Sequence, residues 1–500
     1  MSPLASRLLR TRSLDALVDE ASQSEHALRR TLGPWNVIAL GIGAIIGAGI
    51  FATIGTAAAG DAERPGAGPA LLVSFLLTAL VCGFTALCYA ELASMVPTAG
   101  SAYTYAYTTL GELIAWIIGW DLILEYAIGN VAVAISWANY MNTLLDGLGL
   151  SLPTWLTVDY RTAAQKMPEV IAGAPDLFGV PIVFNVLALG IVFALTLVLV
   201  VGVRESARFN LAMVLVKLIV LGFFVVVGAT YVKPDNFRPF APNGLAGIGA
   251  GAAVVFFAYI GFDAVSTTAE EVKNPRRNLP IGIIGSLVVC TLIYLVVAAV
   301  FTGIIPYRAL TELSASQQAE PLTMAMKYAS MPSWMVGLVA FGSVVAHTAV
   351  LLVFQLGQPR ILFAMSRDGL LPRAMARVHP RYRTPHVATI VTGLLVGGVA
   401  AVANIDEMVD LTNIGTLSAF ILVCIGVTVL RLREPERERA FRVPFGPWLV
   451  PGLGVLSSGF LIVYLPPTSW ARFFAWLAAG IVLYAAYGYR HSRLGSVTRQ

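Results

Sequence analysis

The stretch Gly41-Ile42-Gly43-Ala44-Ile45-Ile46-Gly47-Ala48-Gly49-Ile50-Phe51 decides the reading of this chain. It is apolar enough to lie in a bilayer, yet four of its first nine residues are glycine. A glycine inside a helix costs about 1 kcal/mol relative to alanine, so a plain membrane anchor gains nothing from four of them. Within lipid, loose backbone is stable only where protein or a watery cavity satisfies its polar groups. The pattern therefore predicts a membrane helix that breaks near Ile46–Gly49. A competing reading is tight helix packing through Gly43-x-x-x-Gly47, the small-residue motif of close membrane crossings.

The surrounding chain is of the same kind. It has 500 residues, 57% hydrophobic and 12% charged, against about 25% charged in soluble proteins, and its mean hydropathy is +0.77. Twelve apolar runs fall at about 34–59, 70–91, 113–142, 182–201, 208–230, 247–269, 280–303, 333–357, 387–403, 411–430, 448–466 and 471–490, most of them near the length that spans a bilayer. The expectation is an all-α integral membrane protein with twelve transmembrane helices. Placing the N-terminus inside puts 24 Lys and Arg on the cytoplasmic face and eight outside. That bias orients the chain with both termini cytoplasmic, and the net charge of +5 then reflects topology and not nucleic-acid binding. The loop 92–112 carries no basic residue although it falls on the cytoplasmic side, and its Ser/Thr/Tyr-rich sequence suggests a short helix there. Residues 1–30 are charged and lack a signal-peptide core, and a short amphipathic helix fits around Leu14–Leu28. Cys82, Cys88, Cys290 and Cys424 all lie in apolar runs and read as buried small side chains.

Span 6 repeats the oddity of span 1. It reads Phe256-Phe257-Ala258-Tyr259-Ile260-Gly261-Phe262-Asp263-Ala264-Val265-Ser266, with a glycine and an acid near its middle. Interrupted spans at matching positions in two halves point to an inverted-repeat transporter. The resulting division is a cytoplasmic tail (1–30), a ten-helix core built as a 5+5 inverted repeat with broken helices 1 and 6 (31–430), two extra C-terminal helices (431–490) and a short tail (491–500). A matched pair of breaks favours a substrate clamp over mere packing. The N-terminal end of a half-helix attracts a carboxylate, and the carbonyl end of another attracts an ammonium, so the pair suits a small zwitterion.

Few polar residues lie inside the spans. Glu125 sits mid-span in Asp121-Leu-Ile-Leu-Glu125, where a carboxyl must be protonated, paired or wet. It suits a cationic substrate side chain or a proton, or a plain hydrogen bond to a neighbouring helix. Asp121, one turn away, reads as structural. Lys217 is the only basic residue inside a span and lies about ten residues in, too deep to snorkel easily. It fits a cation docked on the carbonyl end of broken span 1, with a proton-coupling role, or a static helix tie. Asp263 follows the second break and can accept its freed N–H groups, line the path or cap the second half-helix. His347, in span 8, titrates near neutrality in water and reads as a packing histidine or a proton relay. The proline-bearing segments 269–280 and 358–372 read as loops. No nucleophile–base–orienter set, no metal cluster and no G-x-x-x-x-G-K-[ST] phosphate loop occurs in the sequence, which argues against an enzyme or an ATP-driven pump.

Assembled, these segments resemble the amino acid–polyamine–organocation superfamily, and within it the bacterial branch of the cationic amino acid transporter family. The likeness spans about residues 30–490 and rests on the glycine stretch 41–51, Val96-Pro-Thr-Ala-Gly-Ser-Ala-Tyr103, Gly119-Trp-Asp-Leu-Ile-Leu-Glu-Tyr126, Phe256-Phe-Ala-Tyr-Ile-Gly-Phe-Asp263, Glu270-Glu-Val-Lys-Asn-Pro275 and Met365-Ser-Arg-Asp-Gly-Leu-Leu-Pro372. It implies a leucine-transporter-type fold working by alternating access in the cytoplasmic (inner) membrane of a bacterium. By motif, the substrate α-carboxylate would rest on the amides of Ala48 and Gly49. The α-amine would rest on the carbonyls of Ile45, Phe257, Ala258 and Ile260, with the Phe257 ring as a gate. Glu125 matches an acid that lines the pocket, and Lys217 matches the lysine of proton-coupled relatives. Gly129-Asn130 and His347 depart from the usual pattern, so the likeness does not settle the side chain.

The function expected is import of an L-α-amino acid, cationic or small neutral, by proton symport. An obligate exchanger and a membrane amino acid sensor are the alternatives. The expected partners are the substrate and membrane lipids, with no nucleic acid and no cofactor beyond the coupling proton, in a chain that works as a monomer.

Overall fold

The computed structural model describes residues 10–11, 32–95, 101–202, 207–313 and 318–493. The tail helix expected near Leu14–Leu28 and the segment Val96–Gly100 of one quoted motif lie outside these residues. Nine described helical stretches are long and apolar enough to cross a membrane. Three further apolar segments fold as helices of 15 to 17 residues.

The chain order explains how the centre is built. Helix α1 (Pro34–Ile45) starts with Pro34 in its first turn, where the missing N–H costs nothing. Its 12 residues reach about 18 Å, roughly half of a bilayer. Ile46 is extended (φ −73°, ψ 102°), a wide turn over Gly49–Thr53 follows, and α2 (Ile54–Ala59) completes the span. Then come α3 (Leu71–Met95), the short α4 (Ser101–Thr109), and α5 (Glu112–Ile123) running into α6 (Gly129–Gly147). The junction of α5 and α6 is a π turn over Leu124–Ile128 that carries Glu125, the kind of local widening that recurs at functional sites.

Beyond it lie α7 (Val186–Val201), α8 (Ala207–Ala229) and α9 (Gly244–Val255). Helix α9 has the 12-residue length of α1. A tight 3₁₀ turn over Phe256–Tyr259 follows, then extended Ile260 (φ −60°, ψ 135°) and Gly261 at φ +117°, before a second 3₁₀ stretch over Asp263–Glu271. Among the helices that follow are α10 (Pro275–Ile304), α11 (Pro321–Tyr328), α12 (Ser333–Arg367), α13 (His386–Val402), α14 (Ile405–Arg433), α15 (Leu449–Val463) and α16 (Pro467–Leu483). Helices α3 and α1 flank α10, α6 and α8 flank α12, and α13 pairs with α7.

Two expectations need correction. The segment 269–280 is not a loop throughout: α10 begins at Pro275, because proline is well placed in a first helical turn. Likewise α12 continues through Pro359 to Arg367, so the loop expected at 358–372 shrinks to its last few residues. A small antiparallel hairpin, Asp176–Leu177 with Val180–Pro181, is the only strand pair among the described residues. It lies outside the helices and leaves the all-helical class intact. The basic-free loop 92–112 does contain a helix, α4.

Candidate functional site

The two breaks meet. A Cβ placed on Gly49 would lie 2.1 Å from Ala258 Cα, and one on Gly261 would lie 2.7 Å from the Ala44 carbonyl oxygen. Glycine at these positions lets two irregular backbones touch without a side chain between them. Gly261 is needed twice over, since its φ of +117° lies where L-residues are strained.

Ile45, Ala48, Gly49, Phe257, Ala258 and Ile260, the residues expected to grip a zwitterion, therefore lie around one crossing, and all are buried. Two of the carbonyls named for the amine share a donor that the sequence reading missed. Tyr294, on α10, approaches the carbonyl of Ile45 at 3.0 Å and that of Ala258 at 2.9 Å through its hydroxyl. A tyrosine in an apolar span is unremarkable by pattern, so only the packing of α10 against α1 reveals it.

Lys217 is fully buried. Its Nζ donates to the carbonyls of Gly43 at 2.6 Å and Ile46 at 2.9 Å. The Gly43 carbonyl belongs to the last turn of α1 and that of Ile46 to the residue just past it, where the break leaves acceptors without intrahelical partners. The helix dipole also makes that end favourable for a cation.

The acids gather on another side of the break. The Glu125 carboxyl lies beside that of Asp263, with the Thr416 hydroxyl close by. Neither Asp263 carboxyl oxygen receives a hydrogen bond, and one oxygen of Glu125 also lacks a partner. The backbone N–H groups of Gly261, Asp263 and Ala264, at the break, face the Asp263 carboxyl without closing to full hydrogen-bond geometry. Two carboxyls in contact can bond to each other only when one holds a proton. Asp121 is buried with both oxygens unpartnered, a costly arrangement for a group read as structural.

His347 belongs to a different wall. Its Nδ1 lies 2.6 Å from the Ser343 carbonyl, so that nitrogen carries a hydrogen, and its Nε2 lies 2.7 Å from the Ser136 hydroxyl. The ring stands 5.6 Å from that of Phe51 and 5.5 Å from that of Tyr140. Tyr140 in turn donates to the Phe51 carbonyl at 2.5 Å. His347 is therefore held between α6 and the part of the first broken span that follows the break. Asn130, singled out as unusual, donates to Gln355 at 2.5 Å, and Gln355 continues to Thr196 at 3.0 Å. That chain links α6, α12 and α7.

Residues 32–486 match the family described as amino acid permease. Over 487 residues the chain is 44% identical to the branched-chain amino acid permease BcaP of Bacillus subtilis (strain 168), covering 97% of this chain and 99% of the relative. It is 43% identical over 492 residues to the methylthioribose transporter of the same bacterium, covering 98% and 99%. It is also 37% identical over 438 residues to the vacuolar cationic amino acid transporter 4 of Arabidopsis thaliana, covering 86% and 68%. A glycine-lined crossing of two broken membrane helices and a match over nearly the whole chain lead to one conclusion: this chain belongs to the amino acid permease family.

Proposed function

We propose that the chain imports an L-α-amino acid together with a proton, by alternating access through twelve membrane spans arranged as a 5+5 inverted repeat with two extra helices. The observation that carries the coupling is the pair of hydrogen bonds from Lys217 to Gly43 and Ile46. A protonated lysine adds charge to both bonds and to the dipole of α1. Loss of its proton leaves weaker bonds and frees α1 to swing. The proton is a useful driving ion, because one charge crossing 100 mV of membrane potential gains about 2.3 kcal/mol.

The head group of the substrate is read by backbone, through the amides of Ala48 and Gly49 and the carbonyls around Ile45 and Ala258. The side chain is read by other residues, with Glu125 and Asp263 on one wall and His347 on another. The two relatives named for amino acids differ in just this respect, branched-chain against cationic, whereas methylthioribose, a sugar without the α-amino acid head group, differs in the head group as well. Head-group backbone and side-chain wall are separable parts of the site, and the wall sets the choice between cationic and small neutral amino acids. A thermal-shift screen of purified protein against the twenty amino acids reads that choice, since a ligand that binds the native state raises Tm.

The coupling is tested in proteoliposomes that contain no internal amino acid and receive an acid jump outside. Symport predicts uptake by wild-type protein that rises with external acidity, and loss of that acid stimulation in Lys217→Ala. Full stimulation in the variant would remove Lys217 from coupling. Uptake that requires internal amino acid would make the protein an exchanger.

A further inference from the structure

A cavity of about 600 Å³ opens on the side of α10. It is lined by Arg276, Arg277, Pro280, Ile281, Ile284 and Gly285 of α10, with Ala440 and Phe441 from the segment that follows α14. The lining is sharply divided. Two exposed arginines stand at its rim, neither in an ion pair among the described residues, and no acidic side chain lines it. Everything below them is apolar.

The face of α10 that continues from the cavity is also apolar and bare. Ile281, Val288, Leu292 and Val296 are 38%, 53%, 60% and 49% exposed, and they recur every seven or four residues, which puts them on one side of the helix. In a membrane protein such a stripe faces acyl chains. Arginines at its end then lie where the hydrocarbon gives way to lipid head groups. Exposed Arg442 lines another cavity with the chain that follows Phe441, so the positive charge extends past the rim.

We propose that this cavity is a binding site for an anionic phospholipid. The phosphate is held by Arg276 and Arg277, and one acyl chain enters along Ile281, Ile284 and Gly285 before joining the exposed stripe. Basic pockets between membrane helices select anionic head groups by the same physics. The arginine guanidinium forks suit phosphate oxygens, and the greasy wall supplies what a free phosphate lacks. The back of the cavity touches the transport core: a Cβ on Gly285 would lie 3.2 Å from Ile38 Cδ1, and Ile38 belongs to α1. A lipid seated here lies against the half-helix that Lys217 holds. The binding itself needs no transport assay, so it stands or falls separately from the proposed symport.

Native mass spectrometry of the purified full chain in detergent tests it, with phosphatidylglycerol and phosphatidylcholine of identical acyl chains titrated in parallel. Two arginines near a head group predict a preference for phosphatidylglycerol of about tenfold or more. Arg276→Gln with Arg277→Gln should bring phosphatidylglycerol retention down to the phosphatidylcholine level. Ile284→Trp, which fills the groove and leaves the arginines in place, should lower retention of both lipids. Glycerol 3-phosphate, a head group without chains, should not be retained. Equal retention of the two lipids by the wild type would overturn the proposal, as would a double arginine variant that still prefers phosphatidylglycerol. Retention of glycerol 3-phosphate as strong as that of the lipid would reduce the site to a free-anion site. Retention of neither lipid, expected if another part of the chain fills the groove, would also overturn it.

Discussion

Tyr294 has one hydroxyl hydrogen and stands within hydrogen-bond distance of two carbonyls, those of Ile45 and Ala258. It is the shared donor for both broken spans. Removing the hydroxyl in Tyr294→Phe leaves those buried acceptors without it, at a cost of about 1–3 kcal/mol. A substrate ammonium brings three N–H groups to the same place. The expected outcome is a lower substrate-free Tm in the variant and a larger rise on saturation with amino acid than in wild type. An equal rise in both proteins would show that the substrate does not use those carbonyls. Lys217 and Tyr294 also mark what single residues reveal by pattern. A lone lysine deep in an apolar run must find acceptors, so its contact with a broken helix was legible. A tyrosine in such a run is ordinary, and its partner depends on how α10 is rotated against α1.

At the scale of the element, the glycines at the crossing act through space and backbone angle together. Gly49→Ala would push a Cβ to within 2.1 Å of Ala258 Cα, forcing the two broken spans apart. The expected result is loss of the amino acid thermal shift and of uptake. Gly83→Ala, in α3 with nothing within 4 Å of the new Cβ, is the matched control and should keep both. It should gain a little stability from helix propensity, up to about 1 kcal/mol. A thermal shift retained by Gly49→Ala would mean that the close approach is not needed for binding. The ends of the broken elements are joined as well. Leu32 N–H donates to the Glu271 carbonyl at 3.0 Å, and Lys273 N–H to the Leu32 carbonyl at 2.9 Å, so α1 and the segment after the second break are tied where they begin and end. The breaks themselves were readable, since clustered glycines in lipid demand them. Helix ends at proline were less so: Pro275 starts α10 and Pro359 lies within α12, because a proline can open a helix or be carried by its packing as readily as it can stop one.

Across the whole molecule, α14 is fastened at both ends while the spans beside it are broken. Near its start, Asp410 receives Arg64 at 2.7 Å, and Arg64 also holds Asp61 at 2.7 Å. Burial by itself would make the Arg64 guanidinium easier to deprotonate, but the carboxylates of Asp410 and Asp61 more than offset it and hold the charge firmly in place. Glu407, on the same helix, pairs with Arg161 at 2.7 Å and Arg472 at 3.0 Å. At its far end, Arg431 donates twice to Glu91 at the end of α3, and the same carboxylate accepts the Val443 N–H at 2.7 Å. Glu91 is fully buried. These ties join distant parts of the chain, so nothing in local sequence pattern announces them; each charge reads as an ordinary loop residue until the helices are packed. They suggest a division of labour in which α14 and α3 form the frame and α1 moves against it. Truncating one member of a buried pair costs about 3–5 kcal/mol, because the other charge is left without a partner. Glu91→Ala is therefore expected to lower Tm sharply. Glu91 also pairs with the buried side chain of Arg439 at 3.2 Å, so Glu91→Ala combined with Arg431→Met and Arg439→Met, which removes all three charges and keeps the apolar volume of the longer side chains, should recover much of that loss. The amino acid thermal shift should survive in the triple variant, since the frame is restored and the crossing of the breaks is untouched. If the single variant were as stable as wild type, Glu91 would not be holding the frame, and the division between a fixed α14 and a moving α1 would have to rest on the Arg64 end alone.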